Sequence, residues 1–164
     1  MIEIRHALSI AAFILVTACD QPIAPRVSAS SREPALPPTE SFREFGDYVV
    51  HFNAITTSRL VPEVARDYGI VRSDNRAMLN VSILRREAGS MGRPVPATLL
   101  VSAVNLTGQR RELDMREIRE QGAIYYIAEF AVANEETLIF SIEVTPLDEP
   151  SGYLLRYRKQ FYTN

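Results

Sequence analysis

From Asp47 to Tyr162 apolar residues recur at every second position, segment after segment, and that period belongs to strands with one buried face. Asp47 to Ile55 sets Tyr48, Val50, Phe52 and Ala54 on one face and Val49, His51 and Asn53 on the other. Arg76 to Arg85 turns Leu79, Val81 and Ile83 inward against Asn80 and Ser82. Ala123 to Val132 alternates Ile124, Tyr126, Ala128, Phe130 and Val132 with Tyr125, Ile127, Glu129 and Ala131. Thr137 to Thr145 sends Leu138, Phe140, Ile142 and Val144 inward, and Gly152 to Tyr162 does so with Tyr153, Leu155, Tyr157 and Phe161. Lys159 falls on that last inward row and is expected to escape by snorkelling. Glycine-bearing turns separate the runs at Gly89 to Gly92, Thr107-Gly108, Gln121-Gly122 and Pro146 to Gly152. Six to seven short strands so spaced predict an all-β, Ig-like or prealbumin-like β-sandwich.

Three segments need a separate reading. Val95 to Leu106 is apolar on both rows, which predicts a central strand covered on both faces. Leu60 to Gly69 carries Pro62 where a first-turn proline sits and Gly69 where a C′ residue sits, so one short connecting helix is expected. Arg110 to Glu120 has Arg, Glu, Leu and Met content that suits a helix, but Met115 and Ile118 make too narrow a stripe to dock one; with Leu113 and Met115 pointing one way and Ile118 the other, a bulged strand is the preferred of the two readings.

Upstream of the alternating region, Arg5 and His6 precede a run of mostly apolar residues from Ala7 to Val16, the size of a signal-peptide core and too short to span a bilayer. Val16-Thr17-Ala18-Cys19 resembles the bacterial lipobox, which makes residues 1–18 a lipoprotein signal peptide and Cys19 the acylated mature N-terminus. Several acyl chains on Cys19 would anchor the chain stably in a lipid bilayer. Asp20 resembles the enteric signal for inner-membrane retention, so a periplasm-facing anchor in the inner rather than the outer membrane is expected. Pro22, Pro25, Pro34, Pro37 and Pro38, with Ser28, Ser30 and Ser31 between them, mark residues 19–40 as a tether with too little apolar surface to fold. Residues 41–164 then form the sandwich domain. Cys19 is the single cysteine, so the domain contains no disulfide and no cysteine-based metal site.

Composition narrows the function further. A formal net charge of −2 offers no field for nucleic acid. His51 is the only histidine beyond the signal; it could act as a base or ligand, but a solvated strand histidine accounts for it. Met78, Met91 and Met115 with His51 would suit copper, yet no His-Met or Met-x-x-Met spacing occurs. Glu112, Asp114, Glu117 and Glu120 each have an arginine nearby, so neutralised pairs are expected in place of acid-base catalysis. Ser82, Ser102 and Ser141 lack a nucleophile elbow. Arg110, Arg111, Arg116 and Arg119 could meet anionic lipid, but the interleaved acids cancel most of that charge. The polar stretches from Asn53 to Leu60 and Arg72 to Arg76 are read as partner-binding loops, with Thr57, Arg59, Arg72, Asp74 and Asn75 as candidate contacts. No catalytic residue, metal site or cofactor is assigned.

Phe45-Gly46-Asp47-Tyr48-Val49-Val50-His51-Phe52-Asn53-Ala54, then Leu60 to Ile70, Asn105 to Gln109, Arg116 to Glu120 and Ile124 to Phe130, resemble the family of small exported bacterial proteins called domain of unknown function 4426. The resemblance spans Phe42 to Tyr162. It implies an exported, periplasmic protein of a Gram-negative bacterium and transfers no catalytic or binding residue. The expectation is a membrane-anchored, non-catalytic binding or assembly module for another envelope protein. A periplasmic copper or small-ligand carrier is the alternative, and a hydrolase is the least favoured reading.

Overall fold

The alternating rows close against one another as two antiparallel sheets in a computed structural model of the chain, which describes residues 40–163. The elements in order are β1 (Phe42–Phe45), β2 (Tyr48–Thr56), α1 (Pro62–Asp67), β3 (Arg76–Arg85), β4 (Arg93–Pro94), β5 (Ala97–Asn105), β6 (Arg110–Leu113), β7 (Arg116–Glu120), β8 (Ala123–Ala131), β9 (Thr137–Pro146) and β10 (Tyr153–Gln160). One sheet runs β1-β2-β3-β8-β7, with β4 paired to the end of β3; the other runs β10-β9-β5-β6. The all-β sandwich and its single short helix are therefore as expected. The signal peptide, Cys19 and the tether as far as Thr39 lie outside the described residues.

The inward rows form one continuous core. Tyr48, Val50, Phe52 and Ala54 of β2 and Leu79, Val81 and Ile83 of β3 meet Leu138, Phe140, Ile142 and Val144 of β9 across the sandwich. Phe140 packs edge-on to Phe130 at 5.6 Å and stacks with Tyr157 at 5.8 Å, so aromatic contacts join the sheets at the centre. Tyr126 adds a polar clamp: from β8 its hydroxyl accepts from the Ala97 N–H at the start of β5 (2.8 Å) and donates to Glu117 on β7 (2.9 Å).

Two local expectations need correction. β5 is flanked by β9 and β6 but covered on one face only: Val101 and Ala103 are buried, whereas Leu100 on the outer row is 65 % exposed. Its apolar outer row therefore does not report a second layer. The segment from Arg110 to Glu120 is not one bulged strand. It divides at Asp114-Met115, leaving β6 in one sheet and β7 in the other. Leu113 and Met115 pack on the core, and Ile118, of the opposite parity, faces outward on β7 beside Tyr125.

The edge strands carry charge: Arg43 and Glu44 on β1, Arg116 to Glu120 on β7, Arg110 to Glu112 on β6, and Arg156, Arg158 and Lys159 on β10. Such edges resist pairing with another chain. Among the described residues no helix is long and apolar enough to cross a membrane.

Candidate functional site

Strand period alone predicts that the outer face of the β1-β2-β3-β8-β7 sheet is polar, yet its central rows are not. In register, Ile55 faces Met78, which faces Glu129; the next row is Asn53, Asn80, Ile127 and Arg116; further along, His51 faces Ser82 and Ile118 faces Tyr125. Ile55, Met78, Ile127 and Ile118 thus make an apolar stripe on the nominally solvent side. The chain between β2 and β3 covers part of that stripe. Ala65 and Ile70 pack with Met78 and Ile127 in a second buried cluster, joined by Leu60, Tyr68 and Ile118.

The cover is held by local chemistry. A 3-10 turn, Thr57–Arg59, leads to α1, whose first helical position is Pro62. After Asp67 the helix ends in a Schellman motif: the Ile70 N–H donates to Ala65 O (2.7 Å), the Gly69 N–H donates to Arg66 O (3.1 Å), and Gly69 takes φ +65°. The same motif drives Ile70 into the cluster against Ala65. Thr57, with no exposed surface, closes the excursion. Its hydroxyl donates to Val71 O (2.8 Å) and accepts from the Ser73 N–H (3.0 Å). Arg72 Nη2 donates to Ser58 O at 2.7 Å.

Between cover and sheet lies a crevice of about 360 Å³. Asn53, Ile55, Met78, Asn80 and Ile127 form its floor; Leu60, Val64, Tyr68 and Ile70 form its roof; Ile118, Glu120 and Tyr125 form its rim. The floor has one anomaly. Asn80 is half-buried, and its Oδ1 is buried with no hydrogen-bond partner among the described residues. At the rim the Tyr68 hydroxyl donates to Glu120, and that bond, followed by burial, raises the phenol above its ordinary range. Arg116 donates to the Tyr68 carbonyl at 2.8 Å and anchors the helix end to β7. A smaller depression lined by Ser41, His51, Asn53, Asn80 and Ser82 adjoins the crevice and shares both asparagines with it.

Few of the residues singled out from sequence line this site. Thr57 is buried in the staple, Arg72 holds Ser58, and the Asn75 carbonyl accepts from the Val132 N–H at 2.9 Å. Arg59 and Asp74 are exposed beside the excursion and do not line the crevice. The stretch read as a loop from Asn53 begins as the last four residues of β2. Glu112 and Glu117 pair with Arg110 (2.8 Å) and Arg119 (2.5 Å), as the interleaving predicts. Asn80, Tyr68 and Ile127 were missed, while Asn53 entered only as the start of a polar loop and Glu120 only as a neutralised carboxylate; the signal available was an outward row holding Ile55, Met78, Ile118 and Ile127, which solvent alone does not favour.

The residues considered for copper do not converge. His51 and Met78 are four register positions apart on neighbouring strands, about 13 Å along the sheet at the usual strand rise. Met91 is 96 % exposed in a loop and Met115 packs against the core. Among the described residues no group of three or more His, Cys, Asp or Glu could hold a metal ion.

Comparison with known proteins follows the fold. A crystal structure of a DUF4426 family protein from Pseudomonas aeruginosa is 36 % identical with a TM-score of 0.64, covering 75 % of this chain and 94 % of that one. FetP of uropathogenic Escherichia coli, recombinantly expressed in the periplasm, is 13 % identical with a TM-score of 0.53 over 75 % of this chain and 93 % of its own; a copper-bound FetP variant is similar to the same degree. A copper-reconstituted protein of Campylobacter jejuni is 11 % identical with a TM-score of 0.50 over 75 % and 94 % of the two chains. At such identities the likeness to these last proteins is one of fold. No functionally curated protein matches the chain. The model of the family described as domain of unknown function (DUF4426) matches residues 42–164, and the chain belongs to that family.

Proposed function

We propose that this chain is an exported, non-catalytic carrier that binds a small, largely apolar ligand in the crevice beneath α1, and that Cys19 and the tether hold it at the periplasmic face of the membrane. The carrying observation is Asn80: a buried, unpartnered amide oxygen in an apolar floor costs about 1–3 kcal/mol. A ligand that supplies the missing donor recovers that cost. The crevice volume falls within the range of small-molecule sites. Assembly with another envelope protein is compatible with this role, since the tether would let a loaded carrier reach a partner.

The test uses a neutral naphthylamine fluorophore, which brightens in apolar surroundings and carries one N–H donor. Saturable one-to-one binding is expected, and Ile118→Trp or Val64→Trp, which fill the crevice, should abolish it. Binding that never saturates, or that both folded variants retain, would remove the reading.

A copper carrier is the second reading, favoured by the fold likeness to copper-bound FetP. The donor set here does not suit it. His51 has Ser41, Asn53, Asn80 and Ser82 around it, oxygen and amide groups where copper prefers imidazole and sulfur. Titration of the sandwich with Cu(I) should therefore show no stoichiometric uptake. Uptake that disappears in His51→Ala would transfer the function to copper.

A further inference from the structure

The rim of the crevice restricts what the carrier can hold, an argument that rests on the ligand-carrier reading above. Among the residues lining the crevice Glu120 carries the only formal charge. Two arginines share this face without lining the crevice: Arg76 pairs with Glu129 at 3.2 Å, and Arg116, which keeps its charge, is held to the Tyr68 carbonyl at 2.8 Å. An anionic headgroup would thus sit at the exposed rim beside a carboxylate with no cation among the lining residues. Repulsion at this exposed position is screened by water and salt, but its sign still favours a cation over an anion. A cation meets the opposite field. It would also meet the rings of Tyr68 and Tyr125, which line the crevice with Glu120, and aromatic faces attract ammonium groups.

The Tyr68 hydroxyl already donates to Glu120, but an ionised carboxylate has about four acceptor sites, so one phenol does not saturate it. From this rim an apolar path runs over Ile118 and Ile127 toward Met78 and Ile55. We infer that the crevice binds an aliphatic amine, its ammonium group against Glu120 between Tyr68 and Tyr125 and its hydrocarbon chain along the floor. A second N–H or O–H donor at the far end of such a molecule would reach the asparagine row.

The experiment is calorimetric titration of the sandwich from Glu40 onward, which carries its complete two-sheet core, with octylamine, octanol and octanoate. Octylamine should bind at least tenfold more tightly than either of the others. Glu120→Gln should bring octylamine down to the affinity of octanol without changing octanol itself, and Tyr125→Leu, as an independent variant, should lower the amine-to-alcohol ratio several-fold. Octanol or octanoate binding as tightly as the amine would overturn the amine assignment and leave the carrier reading standing. Binding of the naphthylamine fluorophore with none of the three octyl compounds would do the same. Failure of the fluorophore and all three compounds together would remove both.

Discussion

Replacing Thr57 by valine keeps the shape of the side chain and deletes its hydroxyl, so the change reads the staple that holds the cover over the crevice. The hydroxyl donates to Val71 O and is the acceptor of the Ser73 N–H. Losing the first bond costs about 1 kcal/mol net, and leaving the half-buried Ser73 N–H without an acceptor costs about 1 kcal/mol more, for a total near 2 kcal/mol. For a domain of this size that corresponds to a fall in Tm of roughly 6–10 °C if the cover and the sandwich unfold together. If the cover opens by itself, the loss appears locally instead. Native-state hydrogen exchange separates the two cases: the Ile70 amide, bonded to Ala65 O, should lose protection by about 2 kcal/mol, a change of roughly thirtyfold in exchange rate, in either case. Amides of β9 should follow only in the cooperative case. Affinity for the naphthylamine fluorophore should drop with the same variant. A Thr57→Val protein with unchanged Ile70 protection and unchanged fluorophore affinity would refute the claim that this hydroxyl holds the site together.

Three other variants each test a single group. Tyr126→Phe removes the oxygen that accepts from Ala97 N–H and donates to Glu117, and urea unfolding should show a loss of about 1–3 kcal/mol. Arg119 first, and Tyr126 second, hold the Glu117 carboxyl below its ordinary range. A depressed folded-state value contributes stability that is full above the unfolded-state value and is lost as pH falls through the folded one. The acid side of the stability profile should therefore be shallower in Tyr126→Phe, and parallel profiles would show that the phenol does not act on Glu117. Gln121 and Gly122 form the two-residue turn between β7 and β8 with φ of 44° and 82°, a type I′ geometry that favours asparagine at its first position. Gln121→Asn should raise stability by about 0.5–1 kcal/mol in denaturant, since glutamine bears much of the left-handed steric cost; no gain would mean the turn is not strained. Phe140→Ala, at a fully buried position between Phe130 and Tyr157, should cost about 3–5 kcal/mol, measurable as a shift in urea midpoint with little change in fluorophore affinity if core and crevice are separate clusters.

Alternation, turn chemistry and the Pro62-to-Gly69 frame were sufficient for the sandwich, its inward rows and its one helix, because each is a local property: a side chain's face follows from its parity and a helix end from its cap. What local rules could not resolve lies where parity stops being informative. Leu113, Met115 and Ile118 are as consistent with one irregular strand as with a change of sheet, since parity gives each residue a face but does not say which sheet it joins. Leu100 and Val104 look identical to a doubly covered strand until the other layer is found to be missing from that side.

The candidate site is the clearest division between the two levels. Sequence by itself established that Asn53, Asn80 and His51 face outward and that the stretch after β2 is polar and connective, which directed attention to Thr57, Arg59, Arg72, Asp74 and Asn75. Only tertiary structure decided that Ile55, Met78, Ile118 and Ile127, from four strands, fall in one stripe, that Leu60, Val64, Tyr68 and Ile70 close over it, and that the Asn80 amide oxygen is left buried without a partner beneath. The physical reason is register. Parity along one strand assigns a face, but which residues of different strands share a row depends on pairings between segments as distant as β2 and β8, set by the packing of the whole core.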